Sequence, residues 1–547
     1  MNIRAYIWAI LATACVLLSC EKDDDEKDSS KRFAIDKSKT YVDDDYENRL
    51  KDSVWYYYKY LSLWESVIEP ATAKLNDMDS TDFLKKNYTQ YFNSANDVLG
   101  YLMYRTKASV VGNSVPSNAG SGNSFFFYQD VIYNHGKGES KAYDWYSFLD
   151  RGGFVSGAIQ NGFVSGLGMD VAYVEKTSSG NADLFVRFVE KNSAAYLSGL
   201  RRGCQILKLN GDSKIDYNSQ KANNFNTLNN YLNSSRLTVE YKTPAGVINS
   251  VEIVYRSNHY ADAVFVDTVL QAGTRKVGYI GMSSFLSNDA WVVTDGGFQR
   301  FDARLNGVFE NLQTQGVNDL VVDLRYNGGG SVLTTEYLAD WLVPASASSQ
   351  LMYTYKINAI LKQFGWDEAG EEFGPVYFSK KGSLNLSRIY FLVSEETASA
   401  SELLINILTP MMDVYVIGTY REESGAAVPK NTYGKPVGFF PIEIVSASNE
   451  LYVTSFQMYN KNGYGDYFDG LKPNHHVWEY QSFFDFGNVE ETMLATALEH
   501  IRTGVFRTTQ PRSVHGKMNI ERKISREEFG PRKIQGMYKF PTKKIHF

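Results

Sequence analysis

Apolar and polar positions divide the chain into blocks of different period. From residue 33 to about 105 apolar residues recur at helical spacing. In YENRLKDSVWYYYKYLSLWESVIEP, Trp55, Tyr58, Leu61 and Trp64 share one face and predict a buried stripe. Ser80 ahead of Asp82 and Phe83 predicts a further helix start. Residues 33–105 therefore read as a helical domain with no chemistry of its own. The pattern then lapses. Residues 106–159 are rich in Gly, Ser and Asn and read as a loop-rich connection, in which the lone His135 is solvated.

Between 160 and 257 the period shortens. GLGMDVAYV, ADLFVRFVE, SRLTVEYKT and VINSVEIVYR have the β-branched and aromatic runs of short strands. From 258 to 503 strands and helices alternate. KVGYIGMSSF, VNDLVVDLRY, SRIYFLVS and DVYVIGTY read as strands; FDARLNGVFENLQTQG, VLTTEYLADWLV and ELLINILT read as helices. Such alternation predicts an α/β core. Residues 504–547 are basic, with Arg507, Arg512, Lys517, Arg522, Lys523, Arg532, Lys533, Lys543 and Lys544. They read as a flexible surface tail, contact with acidic lipid headgroups being the less favoured alternative.

A chain of 547 residues predicts two to four domains. Hydrophobic and charged fractions of 43% and 22% are ordinary for globular proteins, and a net charge of −6 points away from nucleic acid. The start is more specific. MNIRAYIWAILATACVLLSC has a basic Arg4, an apolar run short for a bilayer span, and an ending that resembles a bacterial lipobox. That resemblance implies a signal peptide over 1–19, lipid attachment at Cys20 and membrane anchoring. Cys15 would leave with the signal and Cys20 would carry lipid. Cys204 would then remain as a small buried apolar residue, with no intrachain disulfide possible. The acidic tether 20–32 resembles the surface-export signal of Bacteroidetes lipoproteins. It implies an outer-membrane location, facing outward if it acts as that signal and undetermined if it is a plain spacer.

The segment NSAAYLSGLRRGCQILKLNGDSKI resembles a PDZ domain. Ser193, Ala194, Gly199, Leu200, Gly203, Ile206, Leu207, Asn210 and Gly211 match, and Cys204 replaces the usual acidic residue. The resemblance implies a PDZ-like domain over 160–257 that takes extended peptide ends by strand addition. The loop Gly166-Leu167-Gly168-Met169 would hold the terminal carboxylate on its backbone amides.

Three further motifs follow in order: DLRYNGGG at 323–330, TASASE at 397–402 and NTYGKPVG at 431–438. Together with VGYIGMSSF and DGLKPNHHV they resemble the C-terminal processing peptidases, or tail-specific proteases. The resemblance covers most of 160–490. It implies an α/β fold in which a crotonase-like peptidase core, 258–503, is preceded or interrupted by the PDZ-like domain and joined to the N-terminal helical domain. It implies Ser399 as nucleophile and Lys435 as general base, with no cofactor and no metal.

The residues suit those roles. A serine hydroxyl is a weak nucleophile until a base takes its proton, and lysine is a base only when neutral. Tyr433, Pro436, Val437, Phe439 and Phe440 supply an apolar setting that favours the neutral form. ETASASELL also reads as a helix start, with Ser399 and Glu402 spaced as a capping box. The N–H of Ala400 then suits an oxyanion, with Gly329 first and Gly330 second as further donors.

Two features depart from the family. REESGAAVPK, 421–430, reads as an inserted polar surface loop. Phe439 stands where many relatives have a glutamine that orients the lysine, which leaves Glu402 and Thr432 as candidates. His475 and His476 read as loop or surface residues. The function implied is a serine endopeptidase acting on unstructured proteins or peptides. The alternative is an inactive or weak peptide-binding lipoprotein on the same scaffold.

Overall fold

The computed structural model describes residues 45–79, 83–106, 143–144, 146–174, 181–423, 426–506 and 536–541. The expectations for the signal peptide, Cys15, Cys20, the acidic tether, Ser80 and His135, and for most of the basic tail, lie outside the described residues.

The peptidase-like segment is built on a seven-stranded mixed sheet. Its parallel centre comprises Arg275–Met282, Asp319–Asp323, Arg388–Leu392 and Asp413–Glu423, with His475–Val477 alongside the last. These central strands are nearly continuous apolar runs, as strands covered on both faces must be. Helices Phe301–Thr314, Val332–Leu342 and Ala400–Leu408 pack their Leu and Val faces into one core, and Thr492–Thr503 closes the opposite face. The strand and helix readings for 276–420 agree with these elements.

A second seven-stranded sheet stands beside the first. It runs in the order Gly329–Ser331, Gly536–Tyr538, Val437–Ile444, Ser446–Asn460, Leu351–Lys356 and Val376–Tyr377, and Phe148–Asp150 pairs onto Ser446–Asn460. Residues 169–254 form a separate five-stranded antiparallel sheet with its own core, in which Cys204 is buried. The strand Met169–Val174 is its edge.

Four expectations change. Helices Tyr46–Leu61 and Ala95–Arg105 form as the pattern requires, and Trp55, Tyr58, Leu61 and Trp64 are buried. They share one continuous core with Val453 and Phe456 of the second sheet, so this region is part of the peptidase-like body. The connection 106–159 contains the strand Phe148–Asp150 and the helix Phe154–Ile159, both too short to show a period.

The 421–430 insertion is an antiparallel pair in which Ala426–Pro429 returns along Tyr420–Glu423, because Ala-Ala-Val is itself a pairing run. The tail also returns. Met537 and Tyr538 are fully buried in the second sheet, where one apolar and one aromatic residue fill a slot that charge counting overlooks.

Candidate active site

Ser399 sits where the strand Arg388–Leu392 turns into the helix Ala400–Leu408. Its backbone, φ 62° and ψ −112°, is in a region costly for a residue with a Cβ. The turn is fixed from several sides. Thr397 Oγ1 donates to the Leu324 carbonyl at 2.7 Å, and the Ala398 N–H donates to the Asn327 carbonyl at 3.2 Å. Ser401 Oγ donates to the same Asn327 carbonyl at 3.1 Å.

Half of the expected capping box forms. The Ser399 N–H donates to Glu402 at 2.7 Å, but Ser399 Oγ is buried with no hydrogen-bond partner. The positive φ explains this, because an N-cap hydroxyl reaches the third helical amide from extended backbone. The Ser399 oxygen is therefore left without a hydrogen bond.

Glu402 is fully buried and accepts four hydrogen bonds. Oε2 takes the N–H of Ser399 at 2.7 Å and of Lys435 at 2.9 Å; Oε1 takes the N–H of Gly434 at 2.8 Å and the Thr432 hydroxyl. All four partners donate, so the site is made for a carboxylate, although burial pushes its proton affinity up. Both residues proposed from sequence to hold Lys435, Glu402 and Thr432, act here through the backbone of its loop.

The Lys435 loop is held from its other side by the DGLKP element. Leu471 N–H donates to Thr432 Oγ1 at 2.7 Å, and Thr432 N–H to the Leu471 carbonyl at 3.2 Å. The chains approach so closely that a Cβ on Gly434 would lie 2.2 Å from the Phe468 carbonyl oxygen. One on Gly470 would lie 2.1 Å from that of Thr432. Both have positive φ, so glycine is required twice over.

The Lys435 ammonium is buried 4.2 Å from the Phe439 ring centre and 4.6 Å from that of Tyr146. Burial lowers its pKa to about 7, with Asp144 and then Glu402 pulling the other way. A lysine so placed is substantially neutral at ordinary pH, as a base must be. Phe439 thus supplies a π face where an amide was expected. It is packed in turn against Phe148 and Tyr538, with ring centres 5.5 Å away in each case.

The glycine loop lies beside the start of the Ser399 helix. A Cβ on Gly329 would fall 3.0 Å from the Ala400 nitrogen and 2.3 Å from the Gly536 carbonyl oxygen, so only glycine leaves space before the Ala400 N–H. The other expected donors are engaged in this conformation. Gly329 N–H donates to Asn327 Oδ1 at 2.9 Å, and Gly330 lies in the ladder with Met537. Asn327, whose Nδ2 also donates to the Met282 carbonyl at 3.1 Å, is a site residue that the motif contained but sequence reasoning passed over.

Asp144, Tyr146 and Gly536 were also missed. They come from segments far apart in sequence that carry no motif. His475 and His476 lie half-buried in the strand His475–Val477, paired with Ile417–Thr419, and His476 Nε2 is 3.1 Å from the Lys430 carbonyl.

A cavity of about 200 Å³ joins the two sheet systems. It is lined by Gly168 and Met169 on one side and by Tyr326 and Gly328 on the other, and so runs from the 166–169 loop to the glycine loop. In that first loop Leu167 is buried and its carbonyl accepts from Ala195 N–H at 2.9 Å, while Gly166 and Gly168 have positive φ. Across the same junction Arg187 pairs with Asp170 and, at 2.9 Å, with Glu396 of the turn that leads to Ser399.

Comparison with known proteins places the core. A carboxyl-terminal-processing peptidase 1 from the chloroplast of Arabidopsis thaliana is 23% identical over 275 residues. The match takes in 50% of this chain and 47% of the relative, so it spans about half of that protein's length. A solved structure from Bacteroides fragilis NCTC 9343, assigned to the S41 proteases, superposes with a TM-score of 0.55 at 22% identity. It covers 86% of this chain and 99% of its own, and so shares the fold. Residues 276–477, which carry both Ser399 and Lys435, match the family model of Peptidase family S41.

Proposed function

We propose that the protein is a serine peptidase that cleaves peptide bonds in extended polypeptides through Ser399 and Lys435. One observation carries the reading. A buried lysine with its pKa lowered to about 7 and an uncommitted serine hydroxyl are fixed by their backbones to the same Glu402 carboxylate.

Neutral Lys435 takes the Ser399 Oγ proton as the oxygen attacks the scissile carbonyl. The oxyanion is met by the Ala400 N–H at the helix start and by Gly329, or else Gly330, once the glycine loop releases its present partners. Lys435 then gives the proton to the leaving amine, and water hydrolyses the acyl-enzyme by the same route in reverse. General-base assistance of this kind contributes roughly 10²- to 10⁴-fold.

Residues 160–257 act as a PDZ-like module. The strand Met169–Val174, at the end of the five-stranded sheet, and the loop 166–169 lie beside the cavity, which suits an extended peptide end. Lipid attachment at Cys20, with the protein held at the outer membrane, completes the proposal.

A second reading, a peptide-binding protein without turnover, has one observation in its favour. Ser399 is wholly buried and Gly329 N–H is already engaged. The test is hydrolysis of casein and of a disordered peptide by wild type, Ser399→Ala and Lys435→Ala across about pH 6 to 9.5. Wild type should exceed both variants by at least ~100-fold. Equal rates for all three would leave the binding protein.

A further inference from the structure

We propose that Asp144, from the segment preceding the strand Phe148–Asp150, is a positioning residue for Lys435. Its buried carboxylate does from outside the peptidase motifs what a polar side chain at position 439 would do from within them. The inference rests on the Ser399–Lys435 reading above.

Asp144 is fully buried and accepts five hydrogen bonds. Oδ2 takes the Tyr58 hydroxyl at 2.7 Å and the Ser147 hydroxyl at 2.5 Å. Oδ1 takes the N–H of Ser147 at 3.0 Å, the N–H of Tyr146 at 3.2 Å and Thr454 Oγ1 at 3.1 Å. None of these donors is a cation. A buried carboxylate ringed by neutral donors is costly unless a cation lies near.

The geometry points to Lys435 as that cation. Thr454 is the cross-strand partner of Phe439, and Tyr146, whose amide binds Asp144, presents its ring 4.6 Å from Lys435 Nζ. Asp144 is also the charged group that most strongly favours the protonated Lys435, ahead of Glu402. Other titratable groups around the pair are Tyr58, Glu402, Tyr146 and Tyr538. The carboxylate would stabilise the ammonium that forms when Lys435 takes the serine proton, while Glu402 holds the loop.

The division of labour is testable in the full-length protein. In Asp144→Asn the acidic limb of kcat/KM should move about 1 pH unit lower, because the Lys435 ammonium no longer has a carboxylate to stabilise it. Its plateau should fall ~10-fold or more. Asp144→Glu should return the limb towards wild type. An unmoved limb in a folded Asp144→Asn protein overturns the proposal, whatever its activity.

If Asp144→Asn does not fold, Asp144→Ser stands in its place. The Lys435 amine, followed by ¹⁵N NMR, should titrate lower in Asp144→Ser than in wild type, and an unchanged titration overturns the proposal. Absence of any Ser399-dependent hydrolysis in wild type is a different result. It removes the peptidase reading and leaves the NMR coupling to be judged alone.

Discussion

The backbone amides of Ser399 and Lys435 converge on a single oxygen, Glu402 Oε2, at 2.7 and 2.9 Å. The helix that begins at Ser399 and the loop that carries Lys435 are thus fastened together by a carboxylate that bonds their backbones. Glu402→Gln keeps the shape but turns an NH₂ group towards donors. We expect at least ~100-fold loss in kcat/KM and about 2–4 kcal/mol of stability, the cost of mismatched buried donors. Peptide hydrolysis and urea unfolding of the variant measure both. Wild-type activity in Glu402→Gln would mean that the convergence has no catalytic consequence.

Lys435 sets two pH dependences with one pKa. Its folded value of about 7 lies below the ordinary lysine value of 10.5, so the folded protein releases this proton first. kcat/KM should therefore rise with pH through about 7 as the free base forms. Stability follows the linked sign. Between about 7 and 10.5 the unfolded chain holds a proton that the folded chain has lost, so this residue's contribution improves as pH rises. Lys435→Met should consequently be more stable than wild type, most clearly below pH 7, with the gain fading towards pH 10.5. Thermal melts at pH 6 and pH 9.5 give the comparison, and a larger gain at pH 9.5 would contradict it.

The backbone of Ser399 makes a third prediction. At φ 62° and ψ −112° it is strained for any residue with a Cβ, and its hydroxyl contributes no hydrogen bond to the fold. Ser399→Gly should then raise stability by about 1 kcal/mol while abolishing hydrolysis. Ser399→Ala should abolish hydrolysis with little change in stability, since it keeps the Cβ. Chemical denaturation of the three proteins separates these cases. A Ser399→Gly protein less stable than Ser399→Ala would show that the turn is not strained.

The parts of this site legible in sequence are those that local chemistry encodes. A parallel strand is an apolar run, a helix a periodic one, and NGGG, SASE and TYGK each lie in one short stretch. Positive φ and close approach explain Gly329, Gly434 and Gly470, and glycine is visible as a letter. What stayed hidden depends on pairing at a distance. Asp144 lies 310 positions from Thr454, and nothing in YDWYSF announces a buried carboxylate. Phe439 was visible as an anomaly, but its explanation lies in Tyr146, Phe148 and Tyr538, which reach it from both ends of the chain.

The strand Gly536–Tyr538 yields the last prediction. It lies between the glycine-loop strand and the strand Val437–Ile444 that follows Lys435, paired in parallel with Gly329–Ser331 and touching Phe439 through Tyr538. Gly536 N–H donates to the Gly328 carbonyl at 3.0 Å, and Lys539 N–H to the Phe439 carbonyl at 3.0 Å, so this strand ties the two halves of the site together. Removing residues 536–547 exposes two inner strand edges and deletes buried Met537 and Tyr538. The expected cost is about 5 kcal/mol, from the loss of two large buried side chains, with a matching fall in melting temperature. Hydrolysis should fall below ~1% of wild type because the glycine loop loses its support. Met537→Ala with Tyr538→Ala should reproduce most of the stability loss while leaving the backbone ladder. A truncated protein that hydrolyses peptides faster than wild type would reverse this assignment and make the strand a cover over Ser399.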